Sequence, residues 1–227
     1  MKRKKNKKRR IKRNFKLVLL LFIAVIAAFV IDQISENRLR DQAITIIQSY
    51  PSPEVEEYTP VIQKELDVVE LGQYTAVVAA IMQQETRGKG GDPMQASESV
   101  GLPPNSIQDP ERSIEIGVKH FERTVKYGNE KKVDFPTIIQ AYNMGTGYID
   151  YVAGKGGKHS EDVAKEFSAL QVKKNPEKYN CGGDTNNFRS PYCYGDFTYA
   201  TKVLKNIEVL TAKNHDIDFE SSDKSGS

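Results

Sequence analysis

Between Tyr74 and Gly88 the chain reads Tyr-Thr-Ala-Val-Val-Ala-Ala-Ile-Met-Gln-Gln-Glu-Thr-Arg-Gly, an apolar stretch that closes on Glu85. At helical spacing Val77, Ile81 and Glu85 fall on one line with Val78 beside it, so the carboxyl projects from the face that otherwise enters a core. Glu85 also falls in the last turn, where the helix dipole is negative. Partial burial and that dipole both disfavour the carboxylate and raise its pKa. An acid that stays protonated near neutral pH suits the departure of a glycosidic oxygen. Taken alone, such a Glu is more often a domain-edge acid paired with Arg87 or a lysine.

Two further stretches could serve the same chemistry. Gly88-Lys89-Gly90-Gly91-Asp92-Pro93-Met94-Gln95-Ala96-Ser97-Glu98-Ser99 follows directly, and its glycines permit tight turns and close approach of backbone to a ligand. Met94 offers an apolar wall, and the Gln95 amide can donate to and accept from a hydroxyl or acetamido group. The loop lacks the G-x-x-x-x-G-K-[ST] pattern of a phosphate cradle. Further on, Ala141-Tyr142-Asn143-Met144-Gly145-Thr146-Gly147-Tyr148 places a phenol and an amide at a helix end released by glycine.

In this order the motifs resemble the lysozyme-like superfamily of soluble lytic transglycosylases and goose-type lysozyme, above all the lysozyme-like (muramidase) domains of Gram-positive cell-wall hydrolases. The matching elements are Glu85-Thr86, Met94-Gln95, Asp109-Pro110 leading to Ile114 and Gly117, and Ala141-Tyr142-Asn143-Met144-Gly145, and the likeness covers roughly residues 60–211. The resemblance implies a lysozyme-like helical domain acting on peptidoglycan strands, at the β-1,4 bond between N-acetylmuramic acid and N-acetylglucosamine. It assigns Glu85 as catalytic acid/base and Gln95, Tyr142 and Asn143 to the glycan cleft, with Met94 and Ser97 counted beside them. Ser97 stands where goose-type lysozyme has an aspartate, which removes one second carboxylate. Asp92 is the nearest acid to replace it, as in the closer lysozyme-like relatives, and Glu98 is a weaker candidate. With a base, water attacks and the enzyme is a muramidase. Without one, the muramyl 6-hydroxyl attacks and the enzyme is a lytic transglycosylase. A non-catalytic glycan-binding scaffold is the reading from another class; a protonatable Glu85 argues against it, since Gln would serve binding alone. No cofactor and no metal are implied.

Positioning these groups falls to helices. Thr59 with Pro60 at the first position predicts a helix running to about Leu71, stopped by Gly72. Thr75–Thr86 forms the next. Asp109-Pro110 opens an amphipathic helix with Ile114, Val118, Phe121 and Val125 toward the core. Pro136 opens a short helix that ends near Asn143, and residues 160–171 and 197–212 supply two more. With strand signals weak, the expected class is mainly α. The expected organisation is a basic cytoplasmic tip (1–16), a transmembrane signal-anchor (17–34), a membrane-proximal helix and stalk (35–59), a catalytic domain (60–212) and a disordered tail (213–227).

The charge distribution supports that layout. Residues 1–16 hold 11 of the 33 Lys and Arg and no acid, leaving 22 basic against 30 acidic residues on the rest of the chain. A basic tip on an acidic body offers no face that tracks a phosphate backbone, which argues against nucleic acid. Leu17 to Ile31 is uninterruptedly apolar, and the basic flank predicts an anchor with the remaining chain outside the cell. A cleaved signal peptide is the rival, with only a poor Val25-Ile26-Ala27 site. Cys181 and Cys193, close together in a Gly-, Asn- and Pro-rich stretch, predict a disulfide in that compartment. His120, His159 and His215 are scattered and read as surface or helix-packing residues.

Overall fold

The computed structural model describes residues 51–223, with side chains to Ala212, and Ile31, Gln33 and Ser35 besides. The expected tip, anchor and membrane-proximal helix lie outside the described residues but for those three. Among the described residues no helix is long and apolar enough to cross a membrane. The chain divides into two units, Met1–Gln48 and Ser49–Ser227, and the second carries the helical domain.

Its helices are α1 (Pro53–Val68), α2 (Thr75–Glu85), α3 (Pro110–Lys131), α4 (Phe135–Met144), α5 (Thr146–Ala153), α6 (Glu161–Lys174) and α7 (Tyr199–Asp223), with short 3₁₀ turns at Gly72–Tyr74, Ser97–Val100 and Cys181–Gly183. No strand occurs among the described residues. α2 packs against α1 and α7, while α4 packs against α3, α5 and α7.

α1 begins earlier than its sequence predicts. Ser52 caps it, its hydroxyl accepting from the Val55 amide, and Pro53 takes the first turn. Pro60 therefore sits inside the helix, and the Thr59 hydroxyl donates back to the Val55 carbonyl (2.8 Å) instead of capping forward. An interior proline costs about 3 kcal/mol. Burial of Val55, Ile62 and Leu66, each fully enclosed, offsets it, at about 1.5–3 kcal/mol per side chain.

α2 is the axis of the domain. Every residue from Val77 to Gln83 is buried, so neighbours surround the helix on all sides. α3 starts at the predicted Asp109 cap, whose carboxylate accepts from the Glu111 and Arg112 amides. Ile114, Val118, Phe121 and Val125 enter the core as the periodicity predicts. On the same helix a Cβ at Gly117 would lie 2.7 Å from the Met94 Cβ, so glycine there is what lets Met94 seat against α3.

Gly145 adopts φ 75° and separates α4 from α5. The sequence predicts a release of the chain at this point, yet helix resumes at once, because Tyr148, Ile149 and Val152 share one buried face. Tyr148 and Val152 join Met144, Ala164, Phe167 and Phe197 in a second, smaller core. The loop between α6 and α7 is closed by a Cys181–Cys193 disulfide (Cα–Cα 5.1 Å), as the sequence predicts. α7 starts two residues later than expected and continues to Asp223, through the stretch expected as a tail.

Candidate active site

α2 ends with its last side chain half in the core and half in a cleft of about 320 Å³. Glu85 lines this cleft together with Gln95, Glu98 and Ser99 of the loop after α2, His120 of α3, Tyr142 and Asn143 of α4, and Gly145. Burial pushes the Glu85 carboxyl up from 4.5 to about 7; a hydrogen bond from Tyr199 pulls the other way, and the charges of Asp92 and Asp196 add to the rise. The Tyr199 hydroxyl donates to Glu85 Oε1 at 2.6 Å. Glu85 therefore keeps its proton far closer to neutral pH than an ordinary carboxyl does, inside a ligand-sized opening.

Tyr199 is placed by α4. The buried Gln140 accepts from the Ala200 amide (3.0 Å) and donates to the Asp196 carbonyl (2.7 Å), and Asn143 Oδ1 accepts from the Asp196 amide (2.7 Å). These two amides clamp the entry to α7 and hold Tyr199, 2% exposed, beneath Glu85.

The loop after α2 is folded around Asp92. Asp92 Oδ1 accepts from the Ala96 amide (2.8 Å) and the Ser113 hydroxyl (2.6 Å), and Oδ2 from the Ser97 amide (3.1 Å) and hydroxyl (2.6 Å). A carboxylate has about four acceptor positions. Burial alone would raise Asp92, but these hydrogen bonds outweigh it and hold the group below its ordinary 3.8. Asp92, Met94 and Ser97 are all at most 3% exposed and lie outside the cleft lining.

Of the residues singled out in the sequence, Glu85, Gln95, Glu98, Tyr142 and Asn143 come together at the cleft. Their free groups differ from expectation. The Tyr142 hydroxyl donates to the Met94 carbonyl (3.1 Å), so this phenol ties α4 to the loop. Asn143 spends its oxygen on Asp196, leaving its Nδ2 donors unbonded among the described residues. Gln95, at φ 47°, donates through Nε2 to Asn105 (2.7 Å) and keeps Oε1 available as an acceptor. His120 lines the cleft as well, and it packs α3 against α4 through an edge contact with the Tyr142 ring (4.6 Å), the helix-packing role expected of it. It donates from Nε2 to the Tyr142 carbonyl (2.9 Å) and accepts at Nδ1 from Arg123 (3.2 Å), the neutral tautomer. Burial lowers its pKa, the Tyr142 bond opposes this, and Arg123 reinforces it. Tyr199 carried no local signal, standing 114 residues from Glu85. Among the described residues no group of three or more His, Cys, Asp or Glu could hold a metal ion.

A strandless helical domain with an acid at the end of its central helix defines the class: the chain belongs to the Lysozyme-like family, whose profile matches residues 52–207. The match begins at Ser52, the cap of α1. The chain is similar to an uncharacterized membrane protein of Bacillus subtilis, YocA, at 48% identity over 85% of this chain and 86% of that one. It is 39% identical to the bifunctional muramidase/DL-endopeptidase CwlT of the same organism, over 69% of this chain and 43% of CwlT. A crystal structure of a lipoprotein-like NLP/P60-family protein of Staphylococcus aureus superposes with a TM-score of 0.59 at 34% identity, covering 70% of this chain and 54% of the other.

Proposed function

We propose that this chain is a muramidase, cleaving the β-1,4 bond between N-acetylmuramic acid and N-acetylglucosamine of peptidoglycan, with Glu85 as the acid. The observation that carries the reading is a Glu85 carboxyl raised to about 7 by burial, with its Oε2 free of protein partners among the described residues and its body lining the cleft. The similarity to CwlT, named as a muramidase, supports the substrate. Glu85 protonates the departing oxygen. Asn143 Nδ2 and Gln95 Oε1 are the donor and acceptor offered to the sugar, and Asp92 holds the loop that presents Gln95. The anchor at 17–34 would keep this domain on the wall side of the membrane, as its basic flank suggests.

A second reading is lytic transglycosylation at the same bond, with Glu85 returning as base. The engagement of all four Asp92 acceptor positions favours it, because Asp92 then has no lone pair for a water proton. Mass spectrometry of sugars released from purified peptidoglycan separates the two, since reducing and 1,6-anhydro ends differ by one water. The muramidase reading expects reducing ends.

Tyr199→Phe tests the acid itself. Loss of the hydroxyl removes an interaction that lowers the Glu85 pKa, so the basic limb of the pH–rate profile should move to higher pH. Turnover at the optimum should fall about tenfold, the rate equivalent of one hydrogen bond of ~1.4 kcal/mol. An unmoved basic limb would separate Tyr199 from the titration.

A further inference from the structure

Hydrolysis with inversion needs a second carboxylate that is ionised, open to water and free to take a proton. Asp92 is buried, with both oxygens fully engaged. Asp196 is bound by Lys202 (2.6 Å) and by the amide and hydroxyl of Thr198. Glu98 differs from both. It is exposed, it lines the cleft with Glu85, and its carboxylate has no hydrogen bond or ion pair among the described residues.

Its backbone is nevertheless held firmly. Glu98 belongs to the 3₁₀ turn Ser97–Val100, whose start is gripped by Asp92 through the Ala96 and Ser97 amides. The Ser97 hydroxyl accepts in turn from the Ser106 and Ile107 amides (both 3.1 Å), and Gly101, at φ 79°, closes the turn by donating to the Glu98 carbonyl. So the loop-holding acid and the free acid are successive parts of one device: Asp92 fixes the turn, and the turn presents Glu98 to the cleft.

The geometry points to Glu98 as the catalytic base that activates the attacking water, an inference that rests on the muramidase reading of this cleft. Water adds its oxygen to the muramyl C1 on the face opposite the leaving group as the bond from C1 to the glucosamine O4 breaks. Glu98 takes one water proton and Glu85 gives its own to O4. Glu98 then releases its proton to solvent and Glu85 regains one. The net reaction consumes one water and yields a reducing muramyl end and a free 4-hydroxyl.

The test uses the full chain on purified peptidoglycan, comparing wild type, Glu98→Gln, Glu98→Asp and Glu85→Gln with and without sodium azide. Glu98→Gln should keep its melting temperature and KM, and lose about 10²-fold or more in kcat. Azide needs no base, so it should restore turnover of this variant and leave muramyl azide ends, with Glu85 still supplying the proton to O4. Glu98→Asp should retain part of the activity. Near wild-type turnover of Glu98→Gln overturns the inference. So does slow turnover that azide leaves unchanged, which assigns Glu98 to sugar binding. Anhydro ends from the wild type also overturn it while leaving glycan cleavage intact. Wild-type protein that releases no sugar ends, or a fully active Glu85→Gln, removes the parent reading itself.

Discussion

Glu85→Gln should give a folded protein that binds glycan and does not cut it. Gln keeps the shape of the side chain and can still accept from Tyr199, so the cleft survives. It has no proton to give the departing oxygen, and turnover should fall by about 10²–10⁴-fold, the usual worth of general acid catalysis. Stability supplies an independent readout. The folded Glu85 pKa of about 7 lies above its ordinary 4.5. Between those values the unfolded chain releases a proton that the folded one retains, so the wild type loses stability as pH rises through the window, by at most about 1.4 kcal/mol per pH unit. Water in the cleft reduces this. Gln does not titrate. The variant should therefore melt above the wild type at pH 8, and the difference should close toward pH 4. Peptidoglycan clearance at near wild-type rate would remove Glu85 from the mechanism, and a melting difference independent of pH would show that no buried acid is held there.

Asp92→Asn should act mainly on the fold. The carboxamide has one oxygen for four donors, and its Nδ2 must face an amide or hydroxyl that had been donating. A loss of about 2–4 kcal/mol follows from the broken charge-assisted bonds and a buried donor left unmatched. The sign with pH is opposite to that of Glu85. Asp92 is held below its ordinary 3.8, so its contribution is fully present above that value and is lost as pH falls below it. The stability gap between wild type and Asp92→Asn should thus be constant near neutrality and narrow in acid. The measurement is a melting curve at each pH beside turnover per folded molecule. A variant with wild-type melting and no turnover would instead make Asp92 the base that its place before Met94-Gln95 suggests.

The local patterns carried a good deal of this protein. The apolar run ending on Glu85, the Asp109-Pro110 cap and the stripe from Ile114 to Val125 are readable because a helix repeats every 3.6 residues and caps within one turn. The cysteine pair was readable from spacing and compartment alone. The start of α1 was not, since Ser52-Pro53 and Thr59-Pro60 carry the same cap-and-proline signal, and the burial of Val55 is what selects the first of them.

The site divides along the same line. Sequence order was enough to bring Glu85, Gln95, Tyr142 and Asn143 under one heading, yet what each side chain has left to offer was decided by partners far along the chain. Tyr142 reaches Met94, Asn143 reaches Asp196, and Tyr199 reaches Glu85 across 114 residues. Asp92 and Glu98 look alike as neighbouring acids in one loop. Tertiary structure distinguishes them, by surrounding the first with four donors and leaving the second facing the cleft with none. A carboxyl group's chemistry is set by its solvation and its hydrogen-bond partners, and neither is a property of residues adjacent in sequence.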